Sequence, residues 1–581
     1  MKLLSIELFG QYKGLKDQAF DFSTVKGDVA VLIGANGSGK SQVMELIAEA
    51  FAFLERRQRQ DFRVRVPLGY DFRVTYEMAS SRYEGLRRFV VDTRDGLRIA
   101  LHQLADAPHN GDAQPAQGTW RQITAKGSLE ELALPRVIGY ASGMSENLQR
   151  AFMRNALQYF DVIRVRANLK KELAQPKVDE RATLVINERY LKRNPGIFAA
   201  EGEDPESGLF RLRETDTAIP RNLFLDYDCA ALLIATLGML PHADRDEVWN
   251  EIPFRHPAHV VLRYDLRGQA TASDNARDIK RLIELAGPNR CTPISPRTSE
   301  PEYELLELEY LAGDIEIDFL DPEVIRRMAD NSREPDQWFS ALYKLQLLGV
   351  DEWSGTAKRA LRRDNFQGHV EKPLKGKLPL SVQELWMSDG VRTVAFDDLS
   401  DGEVQLLLTL GAVRLFGDDE TLFLYDEPET HLNPSWRTRF HLDFEMANQA
   451  NGRAQAIISS HSPFLASSLP REAVFHFKKV ASVTATRQAM AMCAAFAGPN
   501  TLLRFGQTKT TMSSGAARTT TFWRRIYTRY TESIPIICCP SATRAIPRPS
   551  WPKTWFSRME SVVSASRRGP RAHRGKRSRW P

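Results

Sequence analysis

The sequence predicts an α/β fold, with an antiparallel β subdomain and a large mixed α/β insertion built onto a head assembled from two separated stretches of chain. Three observations carry that expectation. An apolar run, Val29 to Ile33, ends in a glycine-rich loop and is followed by a helical pattern. Tyr70, Phe72, Val74 and Tyr76 alternate with polar residues, as a half-exposed strand does. Far downstream, Leu422–Tyr425 and Ala456–Ser460 are again short apolar runs that end in acidic or polar residues.

The elements follow in order. In "MKLLSIELFG" the alternation of Leu4, Ile6 and Leu8 reads as a strand; polar and acidic residues by position 7, and no cleavage site, make it no secretory signal. Val29–Ile33, bounded by turn residues, reads as a strand buried on both faces, and "SQVMELIAEAFAFLE" has helical spacing. The stretch from Tyr70 through "LRRFVVDTRDGLRIAL", with its Asp95-Gly96 turn, predicts an antiparallel meander. Pro135–Gly143 predicts another buried strand leading into a loop. Between about 150 and 385, helical stretches (Leu223–Leu240, Pro322–Leu348) alternate with strand-like "AHVVLRYDLR" and "YELLELEYLAGDIEIDFL". No sustained heptad pattern or internal repeat interrupts them. The expected division is 1–150 and 385–480 for the two lobes of the head, 151–384 for the insertion, and 481–581 for a basic tail.

Composition narrows the class. The chain has 581 residues, 42% of them apolar, and its longest apolar stretch, Cys229 to Leu240, is short of the roughly 20 residues a membrane helix needs. Five cysteines show neither metal nor disulfide spacing, which with the missing signal predicts a cytoplasmic protein. Charge is uneven. From Ala481 to Pro581 there are 18 Lys and Arg against 2 Asp and Glu; before that the counts are 61 and 71. Clustered arginine with aromatics fits a disordered arm that grips nucleic acid. Loss of acidic residues together with loss of pattern fits an out-of-frame terminus better. The same lack of acidic clusters argues against an appended metal-dependent nuclease.

Four motifs carry chemistry. Gly34-Ala35-Asn36-Gly37-Ser38-Gly39-Lys40-Ser41 matches GxxxxGK[ST] between a predicted strand and helix, where backbone amides cradle phosphate. Lys40 would reach the terminal phosphates and Ser41 a Mg²⁺ ion. Asp426, at the end of the apolar strand in "TLFLYDEPETHLNP", is placed for the Mg²⁺ shell, and Glu427 to orient an attacking water. Leu399-Ser400-Asp401-Gly402-Glu403 opens a helix; its plain reading is a cap. His461 ends the strand of "AQAIISSHSPF", where it reads as a phosphate sensor or as a hydrogen-bonded strand terminus.

In this order the motifs resemble the ATP-binding-cassette (ABC) ATPases. "GANGSGKS", "DEPETHLNP" and "SSHSP" are similar to the non-transporter branch that includes RecF, structural-maintenance-of-chromosomes heads and overcoming-lysogenization-defect ATPases. In particular the chain resembles AAA-type ATPases encoded beside bacterial restriction and anti-phage systems. The resemblance implies a P-loop NTPase fold, ATP and Mg²⁺ as cofactors, and catalysis by Lys40, Glu427 and His461. It implies a homodimer of heads in which Ser400 and Gly402 contact nucleotide on the partner, with DNA and a nuclease or restriction protein as further partners. Asp401 stands where the family pattern has glycine, and Glu403 where transporters have glutamine. The glutamine of the metal-sensing loop is expected within Ser142–Gln149. An ATP-sensing switch that regulates a partner nuclease or toxin is the alternative; a membrane-transporter subunit fits the long insertion poorly.

Overall fold

Local pattern sets each element. The chain opens with β1 (Lys2–Tyr12), hairpinned to β2 (Leu15–Asp21). Leu3, Ile6 and Leu8 are the buried residues of β1. The expected Leu4 is displaced because the pairing slips between Leu3 and Ser5, a bulge that shifts the alternation by one residue. β3 (Val29–Gly34) buries Val29 to Leu32 without alternation and feeds the glycine loop into α1 (Lys40–Gln58). The predicted meander follows as β4 (Asp71–Ser80), β5 (Tyr83–Asp92) and β6 (Arg98–Gln103), with the short β7 (Arg121–Gln122). β8 (Arg136–Ala141) is the expected buried strand and leads to α2 (Glu146–Leu173) and α3 (Glu180–Arg193). A ribbon of β9 (Phe198–Glu203) and β10 (Phe210–Glu214) precedes β11 (Asn222–Leu225) and α4 (Tyr227–Leu237).

The middle of the chain continues with β12 (His256–Asp265), α5 (Ala272–Ala286), β13 (Cys291–Pro293), α6 (Glu300–Leu306) and β14 (Ala312–Asp318). Next come α7 (Pro322–Asp330), α8 (Pro335–Leu347), α9 (Gly355–Leu361), β15 (Leu380–Ser388) and β16 (Thr393–Ala395). The last part holds α10 (Asp401–Phe416), β17 (Thr421–Asp426), α11 (Pro434–Gln449) and β18 (Gln455–Ser460). It closes with α12 (Pro463–Ser468), β19 (Val474–Val480) and β20 (Thr501–Phe505). This computed structural model describes residues 1–62, 68–80, 83–103, 121–122, 132–142, 146–203, 210–214, 218–239, 252–330, 335–363, 375–418, 420–449, 454–480 and 501–505. Most of the basic tail, including everything from Lys509, lies outside them.

A parallel sheet in the order β11-β8-β17-β18-β3-β19-β20 is the frame. Both of its faces are covered, as parallel sheets require. On one face Ala30, Leu32, Val137, Leu422, Leu424 and Ile457 share a core with Leu46, Ile47 and Phe51 of α1 and with the antiparallel sheet β2-β1-β4-β5-β6-β7. On the other, Val31, Ile138, Phe423, Tyr425 and Ile458 pack with α4, α8 and α10. That second core runs on into Val260, Leu262, Ile315 and Leu385 of a five-stranded sheet, β13-β14-β12-β15-β16.

Four expectations change here. Leu223–Leu240 was expected to be one helix, but Leu223–Leu225 is strand: Asp226 caps α4 by accepting from Cys229 N–H and cuts the apolar run in two. β11 then docks as an edge of the parallel sheet beside β8, so the stretch read as an insertion supplies part of the head itself. The strand-like "YELL" is the end of α6, fixed by a capping box between Ser299 and Glu302. Within 481–581, Thr501–Phe505 lies parallel to β19.

Asp92 holds the antiparallel sheet at one point. It is fully buried; burial alone would raise its carboxyl, yet bonds from Arg94 and Arg73 (Nη2 to Oδ2 at 2.7 and 2.9 Å) outweigh this and hold it at about 2 rather than the ordinary 3.8. A carboxyl lowered by folding stabilises the fold above its unfolded value and loses that contribution as pH falls through the folded one. Asp92→Asn is therefore expected to cost roughly 2 kcal/mol at pH 7, a gap that closes between pH 4 and pH 2 in urea melts of both proteins.

Candidate functional site

Register brings the chemistry to one edge. Ala141 of β8 lies opposite Asp426 of β17, Asp426 opposite Ser459 of β18, and Ser460 opposite Ile33 of β3. The carboxyl ends of four parallel strands thus open side by side, the place where ligands bind in such sheets.

The glycine loop leaves β3 at this edge. Gly34 has φ +155°, and a Cβ there would sit 2.5 Å from the Phe477 carbonyl oxygen of β19, so the loop can turn only without a side chain. Gly37 and Gly39 follow with φ of +72° and +108°. Ala35, Asn36 and Gly37 form an exposed crest, and Ser38, Gly39 and Lys40 are buried behind it. Gly39 caps α1 with no side-chain bond, and the first turn carries no acid, so the helix amides face the loop uncompensated. The buried Ser38 hydroxyl has no partner among the described residues. An anionic phosphate fits this cradle.

Around it the predicted side chains converge. Lys40 Nζ donates to the Gly34 carbonyl at 3.0 Å and lies 3.0 Å from His461 Nε2. The same Nε2 is 2.8 Å from Glu427 Oε1. One ring nitrogen either accepts from the ammonium or donates to the carboxylate, so Lys40 and Glu427 compete for it. Ser41 Oγ donates to Asp426 Oδ1 at 3.2 Å, and the Ser459 hydroxyl donates to the same oxygen. Ser41 and Asp426 present hard oxygens side by side, which suits Mg²⁺. Among the described residues no cluster of three His, Cys, Asp or Glu gathers to hold a metal; Mg²⁺ takes few protein ligands and leaves the rest to phosphate and water.

The two adjacent carboxyls are driven apart. Burial raises Asp426, against the bonds from Ser459 and Ser41. The hydrogen bond with His461 lowers Glu427, which is 38% exposed beside a 29% exposed imidazole. Burial lowers Lys40, opposed by the charges of Glu427 and Asp426. Glu427 also adopts φ +54°, a left-handed conformation that costs a non-glycine residue about 1 kcal/mol or more. Its backbone is pinned there: its N–H donates to the Ser459 carbonyl at 3.0 Å, and its own carbonyl accepts from Ser142 Oγ at 2.8 Å.

Ser400 and Gly402 sit differently. Ser400 caps α10 in a box with Glu403, whose Oε2 accepts from the Ser400 N–H at 2.9 Å and its hydroxyl at 2.7 Å. A Cβ on Gly402 would lie 2.9 Å from the His431 carbonyl oxygen. Their contacts are thus with α10 and the turn after β17, not with the phosphate loop. Gln405 ties the same parts together, accepting from His431 N–H at 3.1 Å and donating to Tyr140 at 3.0 Å. Of the segment expected to sense metal, Ser142 meets the site through Glu427 and Thr430, and Gln149 lies on α2. Sequence reasoning gave no role to Ser459 and Ser460. Two buried serines ending an apolar strand were the signal for this pair.

The comparisons fall on this site. Residues 301–467 match the family described as "AAA domain, putative AbiEii toxin, Type IV TA system", a stretch that holds Ser400, Gly402, Asp426, Glu427 and His461. No curated protein matches the chain. Among solved structures, the Smc head domain with an extended coiled coil bound to the C-terminal domain of ScpA, from Pyrococcus furiosus, is 14% identical over 86% of this chain and 100% of its own, with a TM-score of 0.26. The Smc head with a coiled coil and joint from Pyrococcus yayanosii is 13% identical over 85% and 99%, with a TM-score of 0.25. The strand order and the glycine loop make this an ABC-like P-loop NTPase fold, and its residues 301–467 are similar to the AAA-domain family.

The glycine loop separates two kinds of glycine. Gly34→Ala would drive a methyl into the Phe477 carbonyl and is expected to destabilise the protein by about 2 kcal/mol or more and to weaken ATP binding at least tenfold. Gly37→Ala meets nothing within 4 Å and should cost only about 1 kcal/mol of left-handed strain. Thermal melts and titration with a fluorescent ATP analogue check both.

Proposed function

We propose that this chain binds ATP with Mg²⁺ and hydrolyses it to ADP and phosphate, through closure of two heads into a homodimer. One observation carries the reading: Lys40, Ser41, Asp426, Glu427 and His461, drawn from both ends of the described chain, meet within hydrogen-bond distance at the mouth of a glycine-loop cradle.

Phosphoryl transfer asks for positioning and charge stabilisation more than covalent help. The loop amides and Lys40 hold the terminal phosphates; a phosphate beside Lys40 gives the ammonium an acceptor other than His461. Ser41 and Asp426 would hold Mg²⁺, whose charge offsets that of the phosphate oxygens and reverses the burial that raises Asp426. Glu427, held low by its bond to His461, is a carboxylate at neutral pH and orients water. His461, once its Nε2 proton leaves Glu427, would donate toward the γ-phosphate.

The dimer reading rests on the resemblance of the motifs, which assigns Ser400 and Gly402 to the partner's nucleotide. Within one chain their contacts are with α10 and the turn after β17, which supports the reading that they meet a nucleotide held by a second copy. The biological setting, DNA maintenance, restriction or anti-phage defence with a nuclease or restriction protein as partner, rests on the resemblance of the motifs. The matched family's description, which names a toxin of a toxin–antitoxin system, supports a defence role. It equally favours a second reading, an ATP-sensing switch that regulates a toxin or nuclease and turns over slowly. Among the described residues no helix is long and apolar enough to cross a membrane.

The test is ATP hydrolysis by the full chain, with and without linear double-stranded DNA, against Lys40→Ala as the blank. Turnover above the blank that DNA stimulates is the expected result; turnover indifferent to DNA would remove DNA as partner, and none in either condition would favour the switch. Glu427→Gln is expected to lower kcat by about 100-fold or more while retaining ATP affinity, and to accumulate as an ATP-bound dimer in light scattering. Normal kcat in that variant would take Glu427 out of its role.

A further inference from the structure

Glu429 lies two residues beyond Glu427 and is 3% exposed. It belongs to no part of the phosphate site described so far. Its Oε1 accepts from the Ser460 hydroxyl, and its Oε2 has no partner among the described residues. Ser460 is itself fully buried, and its oxygen also accepts from the Ser462 N–H at 2.9 Å. The amide N–H of Ser462 only donates, and toward an ionised Glu429 the one proton of the Ser460 hydroxyl goes to the carboxylate. His461 is the residue between the two serines. The chain Glu429–Ser460–Ser462 therefore closes a buried hook around the turn that carries the imidazole.

The other end of the hook is firmly set. Glu429 stands on the turn that starts at Glu427, and that turn is braced from three sides. Glu427 N–H reaches the Ser459 carbonyl at 3.0 Å. Ser142 Oγ reaches the Glu427 carbonyl at 2.8 Å. Arg437 of α11 donates to the Thr430 and Leu432 carbonyls at 2.9 and 2.7 Å. On the His461 side, Ser462 precedes α12 without any side-chain cap bond, so that turn leans on the hook.

We infer that Glu429 is a positioning residue for His461: through Ser460 it locks the imidazole turn to the turn bearing Glu427, and so fixes the 2.8 Å approach of His461 Nε2 to Glu427 Oε1. The inference rests on the hydrolytic reading above and deepens it. Base and phosphate sensor become one rigid unit rather than two side chains on separate strands. Burial pushes the Glu429 carboxyl up, against the bond from Ser460, which makes glutamine a close match in shape and acceptor and alanine none.

The experiment compares wild type with Glu429→Ala, Glu429→Gln, Ser460→Ala and the double alanine variant. Glu429→Ala is expected to lower kcat about tenfold or more, since small misplacements of a reacting group are costly, with ATP affinity kept within about twofold. Glu429→Gln should recover most of the rate, and the double variant should be no slower than the slower single one, because both remove one hook. A kcat for Glu429→Ala within twofold of wild type would overturn the inference, as would a loss of rate that glutamine does not restore. A readout independent of turnover is the His461 ring resonance in carbon-labelled protein, assigned by its loss in His461→Gln. It should shift and broaden in Glu429→Ala and stay in place in Glu429→Gln; an unchanged signal in both sinks the hook even if wild type fails to exceed the Lys40→Ala blank, a result that counts against hydrolysis alone.

Discussion

The structure depends on the register of four parallel strands. β8, β17, β18 and β3 end level with one another, and this alone brings Ser41 to Asp426 across 385 positions of sequence. Side chains alternate between the faces of a strand, so a slip of one residue would send Asp426 to the wrong side and bury Glu427 in its place. The sheet resists that slip because both of its faces are packed: Leu422 and Leu424 enter one core, Phe423 and Tyr425 the other. Apolar packing on the two faces thus decides where the charges fall at the edge.

Those charges set opposing demands. Asp426 is half-buried and accepts from two serine hydroxyls; Glu427, the next residue, is 38% exposed and meets His461. An ordinary extended backbone would swing consecutive side chains to opposite faces. The left-handed turn at Glu427 instead ends the strand abruptly, and the bonds from Ser142 and to Ser459 hold it there. Local strain at the site is sustained by ordinary hydrogen bonds around it.

Much of this was legible in the sequence because it rests on short-range chemistry. The glycines of the phosphate loop, the apolar run into Asp426 and the alternation at Tyr70–Tyr76 each announce their geometry within a dozen residues. Features that depend on distant partners were not legible. Leu223–Leu225 has the same composition as the helix after it, and only pairing with β8 and the cap at Asp226 separate strand from helix. Ser459 and Ser460 read as strand-end polar residues until Asp426 and Glu429 stand beside them. The role of Ser400 as a cap was visible, and the structure shows that cap formed.

The place of β3 in the middle of its sheet also bears on synthesis. β3 is complete at Gly34, yet both of its neighbours, β18 and β19, begin only at Gln455 and Val474. At roughly 5–20 residues per second the ribosome takes about twenty seconds to a minute and a half to deliver them. Throughout that interval an apolar strand has two open edges, the state most prone to wrong pairing. α1 and the β1–β2 hairpin, made within the same early stretch, can cover its face but not its edges. The nascent chain therefore has to shelter the strand that bears its glycine loop long before the rest of the sheet exists, and a ribosome stalled in the middle segment would leave a sticky, half-built head.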